Sequence, residues 1–97
     1  MSLKALRALS TIAREGSFAA AADKLHLTQS AISVQIKALE QQLGFELFDR
    51  HSRSPTLNAD GREVVARARE VLERYDRLGE GLGPDGEFAY EFTIGAI

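Results

Sequence analysis

The sequence contains 97 residues, which is enough for one small domain and little more. Its apolar fraction of 44% predicts a globular chain, and no apolar run reaches the length of a membrane span or a signal peptide, so we expect a cytoplasmic protein. Cysteine is absent and there are only two histidines, which excludes disulfides, thiolate chemistry and most zinc sites, and we expect no cofactor.

The net charge of −2 argues at first against nucleic-acid binding, which normally depends on neutralising phosphates. The charges are unevenly distributed, however. Residues 1–57 contain seven Lys/Arg and five Asp/Glu, a balance of +2, whereas residues 58–97 contain five and nine, a balance of −4. The basic balance therefore lies in the first part of the chain and favours a nucleic-acid contact there.

The first two predicted helices are separated by a single glycine. Apolar residues at three- and four-residue steps predict a helix from Leu3 to Glu15, which Gly16 ends. Ser17 is a good N-cap for a second helix, Phe18 to Leu25, in which most inward positions are alanine. Small side chains allow the close helix approach that a helix-turn-helix needs, although the alternative is simply a segment of high helix propensity.

The third predicted helix begins after the N-cap Thr28, ends at Gly44 and has two different faces. The core-facing stripe consists of Ile32, Ile36, Leu39 and Leu43. The opposite face carries Ser30, Val34, Lys37 and Gln41, with Ser33 at its border. Hydroxyls, an amide, a cation and an exposed valine form a surface suited to reading base edges, so we interpret this segment as a recognition helix. His26 lies in the turn before it and is expected to be a turn residue rather than a metal ligand.

Residues 45–57 predict two short strands around a polar loop. The loop from Arg50 to Ser54 carries two arginines and no acid, which is typical of a wing that lies against a phosphate backbone or a minor groove. The alternative is a solvated basic turn. Asp49, His51 and Ser52 are neighbours in one turn and cannot adopt a nucleophile–base geometry, so we do not expect an enzyme.

Asn58 is expected to cap a long fourth helix that continues to Leu82. Its apolar stripe consists of Val64, Val65, Ala68, Val71, Leu72, Tyr75, Leu78 and Leu82. Because so small a domain cannot cover the whole stripe, we expect part of it to pair with a second copy. The alternative is a helix packed only on its own core. The glycines after it predict a hinge, and the alternation from Phe88 to Ile94 predicts a strand.

Several motifs in this order resemble the LysR-type transcriptional regulators of bacteria. The matching patterns are L-x-x-L-x-x-L-S-T-I-A-x-E-G-S-F at 3–18, A-A-x-x-L-H-L-T-Q-S-A-I-S at 21–33, Q-I-x-x-L-E-x-x-L-G at 35–44 and L-F-x-R at 47–50. The segment LNADG at 57–61 is similar to a degenerate form of the family's LTxxG. The resemblance extends without a gap from residue 1 to about residue 78.

The resemblance implies a mainly α fold with three functional segments. Residues 1–58 would form a winged helix-turn-helix of three helices and a two-stranded wing, and residues 59–82 a linker and dimerisation helix. Residues 83–97 would form a hinge and the first strand of a truncated effector-binding domain. The implied function is sequence-specific binding of double-stranded DNA in transcription regulation, by a homodimer paired through the linker helix. The full-length protein would be a tetramer whose second domain binds a small-molecule effector.

The resemblance also implies roles for individual residues. The major groove would be read by Gln29, Ser30, Ser33 and Val34, whereas Lys37 and Arg50 would lie near phosphates and Arg53 would reach the minor groove. The residues expected to pair between two linker helices are Val64, Ala68, Val71, Leu72 and Tyr75. Many members have proline in place of Ser30 and a basic or larger polar residue in place of Val34. The valine is suited to a thymine methyl group. A winged helix that binds a protein partner is the alternative function, favoured by the acidic total charge.

Overall fold

The computed structural model describes residues 1–51 and 53–84. Its elements in chain order are α1 (Leu3–Glu15), α2 (Phe18–Leu25), α3 (Gln29–Leu43), β1 (Phe48–Asp49), β2 (Thr56–Leu57) and α4 (Ala59–Asp76). This confirms the predicted mainly helical order with a small two-stranded sheet. The strand predicted at 88–94 lies outside the described residues. Within those residues, no helix combines the length and apolar character required to cross a membrane.

Every helix begins with a side-chain cap. The accepting oxygens belong to Ser2, Ser17, Thr28 and Asn58, and each binds the backbone N–H three residues further on at 2.7–3.1 Å. Such bonds satisfy N–H groups that a helix leaves free at its start. Gly16 and Gly44 end α1 and α3 with left-handed φ values of 90° and 87°. These local signals explain why the predicted bounds of the first three helices are confirmed.

The core is arranged around α1, which packs against α2, α3 and α4. Leu9 of α1 and Ile32 and Ile36 of α3 are completely buried. The alanines of α2 are inward as predicted, because Ala21 and Ala22 are both buried against the other helices. This packing leaves the opposite side of α3 facing solvent.

The wing consists of two short strands around a loop, as the sequence predicts. β1 and β2 pair antiparallel, with Phe48 opposite Leu57, and Pro55 lies just before β2. The Phe48 ring also packs edge-on against Phe18 of α2, with ring centroids 5.0 Å apart. The Leu47 C=O accepts the N–H of Asn58 in register with the two strands, but the Leu47 N–H donates to Glu40 of α3, so the ladder ends there.

The fourth helix ends at Asp76 rather than at the predicted Leu82. The residues that follow include Gly79 and Gly81, and Gly81 has a left-handed φ of 74°. Each glycine inside a helix costs about 1 kcal/mol relative to alanine, which outweighs the apolar spacing beyond Asp76. An exposed ion pair between Arg7 and Asp76 connects α1 to the last turn of α4.

Candidate nucleic-acid interface

The outer face of α3 is a solvent-exposed surface on a well-capped helix. The residues predicted to read the major groove, Gln29, Ser30, Ser33 and Val34, are all exposed, as is Lys37. Val34 has 68% of its surface accessible, which is high for a valine in a folded helix. The helix thus presents amide, hydroxyl, methyl and ammonium groups on one rigid element.

The polar side chains of this face are not engaged elsewhere in the protein. Within residues 1–51 and 53–84, the side chains of Gln29, Ser30, Ser33 and Lys37 make no hydrogen bond or ion pair. Their side chains are exposed to solvent. A ligand that offers complementary groups can therefore bind them without breaking internal bonds.

The two arginines of the wing differ in their surroundings. Arg53 is exposed and has no ion pair in the described part of the chain, so its charge is available to a phosphate or to a minor groove. Arg50 instead donates from Nη2 to Glu40 Oε1 at 3.2 Å, and its side chain is about half exposed. Since a guanidinium has five N–H donors, this bond orients Arg50 and leaves its other donors available to a ligand.

The sequence did not identify Glu40 as an important side chain. It lies in the last turn of α3 and is only 8% exposed, and its Oε2 accepts the N–H of Leu47 at 2.7 Å. The available signal was an acid at the border of the buried stripe, ten residues before an arginine. Burial of a carboxylate requires such partners. The Glu40 carboxylate therefore holds the Leu47 backbone and the Arg50 side chain, a role that helical periodicity does not predict.

The apolar stripe of α4 divides into a buried and an exposed part. Ala68 and Leu72 are buried by their own chain, and Val64 packs partly against the same core. Val71 and Tyr75 are exposed, as is Leu78 just beyond the helix. Val64, Ala68 and Leu72 are therefore largely covered within one chain, whereas Val71, Tyr75 and Leu78 face solvent.

The acidic and histidine side chains give no sign of a metal site in the part of the chain that the structure describes, where no group of three could hold an ion. Asp49 Oδ1 accepts the N–H of His51 at 3.0 Å, which is a common way to fix a turn. His26 occupies the turn between α2 and α3 with a left-handed φ of 57°, as a turn residue does.

One protein family matches most of the domain. Residues 3–62 match the family described as bacterial regulatory helix-turn-helix protein, lysR family. This match includes α1, α2, α3, the wing and the first turn of α4. The family assignment thus covers the whole candidate interface.

Curated relatives and a solved structure agree with this match. An uncharacterized HTH-type transcriptional regulator of Azotobacter vinelandii, in the ibpB-leuC intergenic region, is 47% identical over 72 residues, covering 74% of this chain and 50% of its own. The RuBisCO operon transcriptional regulator of Allochromatium vinosum is 39% identical over 82 residues, covering 84% of this chain and 27% of its own. The CbnR DNA-binding domain, solved in complex with DNA, has a TM-score of 0.77 at 38% identity and covers 81% of this chain and 91% of that one. The chain thus spans half or less of these curated relatives, which are named as regulators rather than enzymes.

Proposed function

Because the chain belongs to the LysR family of bacterial regulatory helix-turn-helix proteins, we propose that it binds double-stranded DNA sequence-specifically as part of a transcriptional regulator. In this proposal α3 enters the major groove and reads base edges through Gln29, Ser30, Ser33 and Val34. Lys37 and Arg50 contact phosphates, and Arg53 lies against the minor groove or the backbone. The protein is cytoplasmic, where its DNA is.

The observation that carries the proposal is the unengaged outer face of α3. Its polar groups have no internal partners in the described residues, whereas the opposite face is fixed in the core by Ile32 and Ile36. A helix held in this way presents its side chains in a constant geometry, which base recognition requires. The CbnR DNA-binding domain, which has a similar fold, was solved in complex with DNA, and this supports DNA binding by the present chain.

We further infer that two copies pair through α4. Val71, Tyr75 and Leu78 form an exposed apolar surface beside the part of α4 that is buried on α1. Large apolar groups that cluster at a protein surface are typical of interaction sites. Two recognition helices joined in this way would contact two half-sites of one DNA molecule.

The test is a binding titration with DNA sites selected from a random pool, at several salt concentrations. We expect affinity to fall steeply with salt, because phosphate binding releases counterions. Lys37→Ala or Arg53→Ala should weaken binding, and loss of one phosphate contact should lower the salt slope by about one.

The matched control is Arg69→Ala, which removes an exposed cation from α4 and should leave DNA affinity unchanged. Unchanged affinity for both Lys37→Ala and Arg53→Ala would remove these residues from the interface. Failure to select any sequence, together with capture of a protein partner by both variants, would instead support a protein-interaction module.

A further inference from the structure

A set of hydrogen bonds around Leu47 connects α3 to α4 at the edge of the core. Leu47 is completely buried, and both of its peptide groups bond to other elements. Its N–H donates to Glu40 Oε2 of α3 at 2.7 Å, and its C=O accepts the N–H of Asn58, the α4 cap, at 3.0 Å. We call these three residues the Leu47 clasp. A single residue thus links the end of α3 to the start of α4.

The first turn of α4 is also held against this segment. Asn58 uses both ends of its amide: Oδ1 accepts the N–H of Gly61 at 2.7 Å, and Nδ2 donates to the Glu46 carbonyl at 3.0 Å. A Cβ atom on Gly61 would lie 2.1 Å from the Leu47 carbonyl oxygen. The glycine therefore permits a close contact between α4 and the Leu47 carbonyl that any other residue would block.

Direct packing between α3 and α4 is slight. Among the described elements, α3 and α4 each pack chiefly on α1, with few direct contacts between them. Apolar packing is not directional, whereas a hydrogen bond restricts both distance and angle. The bonds of the Leu47 clasp therefore add a directional link between α3 and α4 to the packing that each helix makes on α1.

We propose that Glu40 and Asn58 are positioning residues that fix the orientation of the recognition helix relative to the linker helix through residues 46 and 47. The Glu40 side chain accepts the Leu47 N–H, and the Asn58 side chain donates to the Glu46 carbonyl. The consequence for DNA rests on the proposed function. If two copies pair through α4, the angle between α3 and α4 sets the distance between the two recognition helices. That distance determines which half-site spacing the dimer accepts.

Spin labels test the clasp without DNA. The sequence has no cysteine, so Gln42→Cys on α3 and Arg69→Cys on α4, both at exposed positions, give two unique labelling sites. The distance distribution between the nitroxides is measured in protein diluted with unlabelled chain. Asn58→Asp keeps an oxygen for Gly61 but loses the donor to Glu46, so we expect a shifted or broader distribution. Asp60→Asn, a charge change in the same turn, should leave the distribution unchanged.

A pair of variants at Glu40 separates the clasp from the bond to Arg50. Glu40→Gln keeps an oxygen that can accept the Leu47 N–H, whereas Glu40→Leu has a similar volume and no acceptor. We expect only Glu40→Leu to broaden the distribution. Distributions that coincide for the parent, Asn58→Asp and Glu40→Leu would overturn the proposal.

Selection from random DNA tests the consequence. Asn58→Asp should select the same half-site sequence as the parent and bind a single half-site equally well. Its preference for the best spacing over a spacing one base pair longer should fall about fivefold, the scale of one hydrogen bond. An unchanged spacing preference, or a loss of half-site affinity in parallel, would contradict a positioning role. No DNA binding by the parent chain would refute the proposed function, while the spin-label comparison would still decide on the clasp.

Discussion

The side chains of α3 either pack in the core or lie on the outer surface, and helical spacing predicted the location of most of them. The stripe that includes Ile32 and Ile36 is buried, and Val34 is exposed, as a 100° step per residue predicts. The same spacing did not predict the burial of Glu40. A periodic pattern treats an acid beside the stripe as solvated, because it cannot show that a backbone N–H seven residues later needs an acceptor. A contact between segments that the fold brings together cannot be predicted from the local sequence.

The exposure of Val34 leads to a prediction about base preference. We expect Val34→Arg to change the preferred base at one position in each half-site from thymine to guanine, because arginine can donate two hydrogen bonds to guanine O6 and N7. Such a bidentate contact is worth about 1–3 kcal/mol of discrimination. Parallel selection of DNA sites by the parent and the variant measures the change.

Uracil provides the control for the valine contact, since it lacks only the methyl group of thymine. Replacing thymine with uracil at that position should weaken binding of the parent and leave Val34→Arg unaffected. Identical selected sites for both proteins, or no effect of uracil on the parent, would show that Val34 does not contact the base.

Gly61 has a steric role that can be measured as stability. Gly61→Ala should destabilise the domain by about 1–3 kcal/mol, the usual cost of overpacking, because the new methyl group meets the Leu47 carbonyl. Urea unfolding followed by helical circular dichroism measures this loss. Gly79→Ala is the matched control, because a Cβ there meets no atom within 4 Å. Equal stability of the two variants would contradict the close approach.

At the scale of elements, the sequence predicted helix starts better than the end of α4. Caps such as Ser17 and Thr28 are local and visible in sequence, and the structure confirms the helices that they begin. The end of α4 was placed too late, because Leu78 and Leu82 continue the apolar spacing past Asp76. Exposure explains the error: both leucines face solvent, so no burial offsets the helix cost of the neighbouring glycines. The two short strands of the wing were predicted, but their exact bounds were not, since these depend on bonds to α3 and to the start of α4.

The divided stripe of α4 makes the pairing proposal testable. Val71→Asp should shift the dimer toward monomer, because an unpaired charge would be buried against the second copy at a cost of several kcal/mol. A cost of that size corresponds to dimerisation at least about a hundredfold weaker. Sedimentation at a series of concentrations measures it.

Leu72→Asp distinguishes pairing from folding. Val71 is exposed in a single chain, so Val71→Asp should retain the helical signal, whereas Leu72 is buried and its replacement should unfold the domain. A parent protein that is monomeric at high concentration, or a Val71→Asp variant that stays dimeric, would exclude this surface from pairing.

At the scale of the whole molecule, charge divides the chain into two parts. The part with a basic balance, residues 1–57, contains α3 and the wing, and the acidic remainder contains α4. Element order and family resemblance were sufficient to predict this arrangement. They could not predict that α1 is the common neighbour of the other helices, because that depends on tertiary packing.

The outer face of α3 also bears on how such a protein changes over generations. Its exposed side chains support nothing inside the described domain, so replacing them should cost little stability, typically within about 0.5 kcal/mol for surface positions. Glu40 and Asn58 have no such freedom, since their side chains bond to other segments, and Leu47 is completely buried. A duplicated copy of the gene could therefore acquire a new target by drift at the surface alone, while the scaffold beneath it stays unchanged.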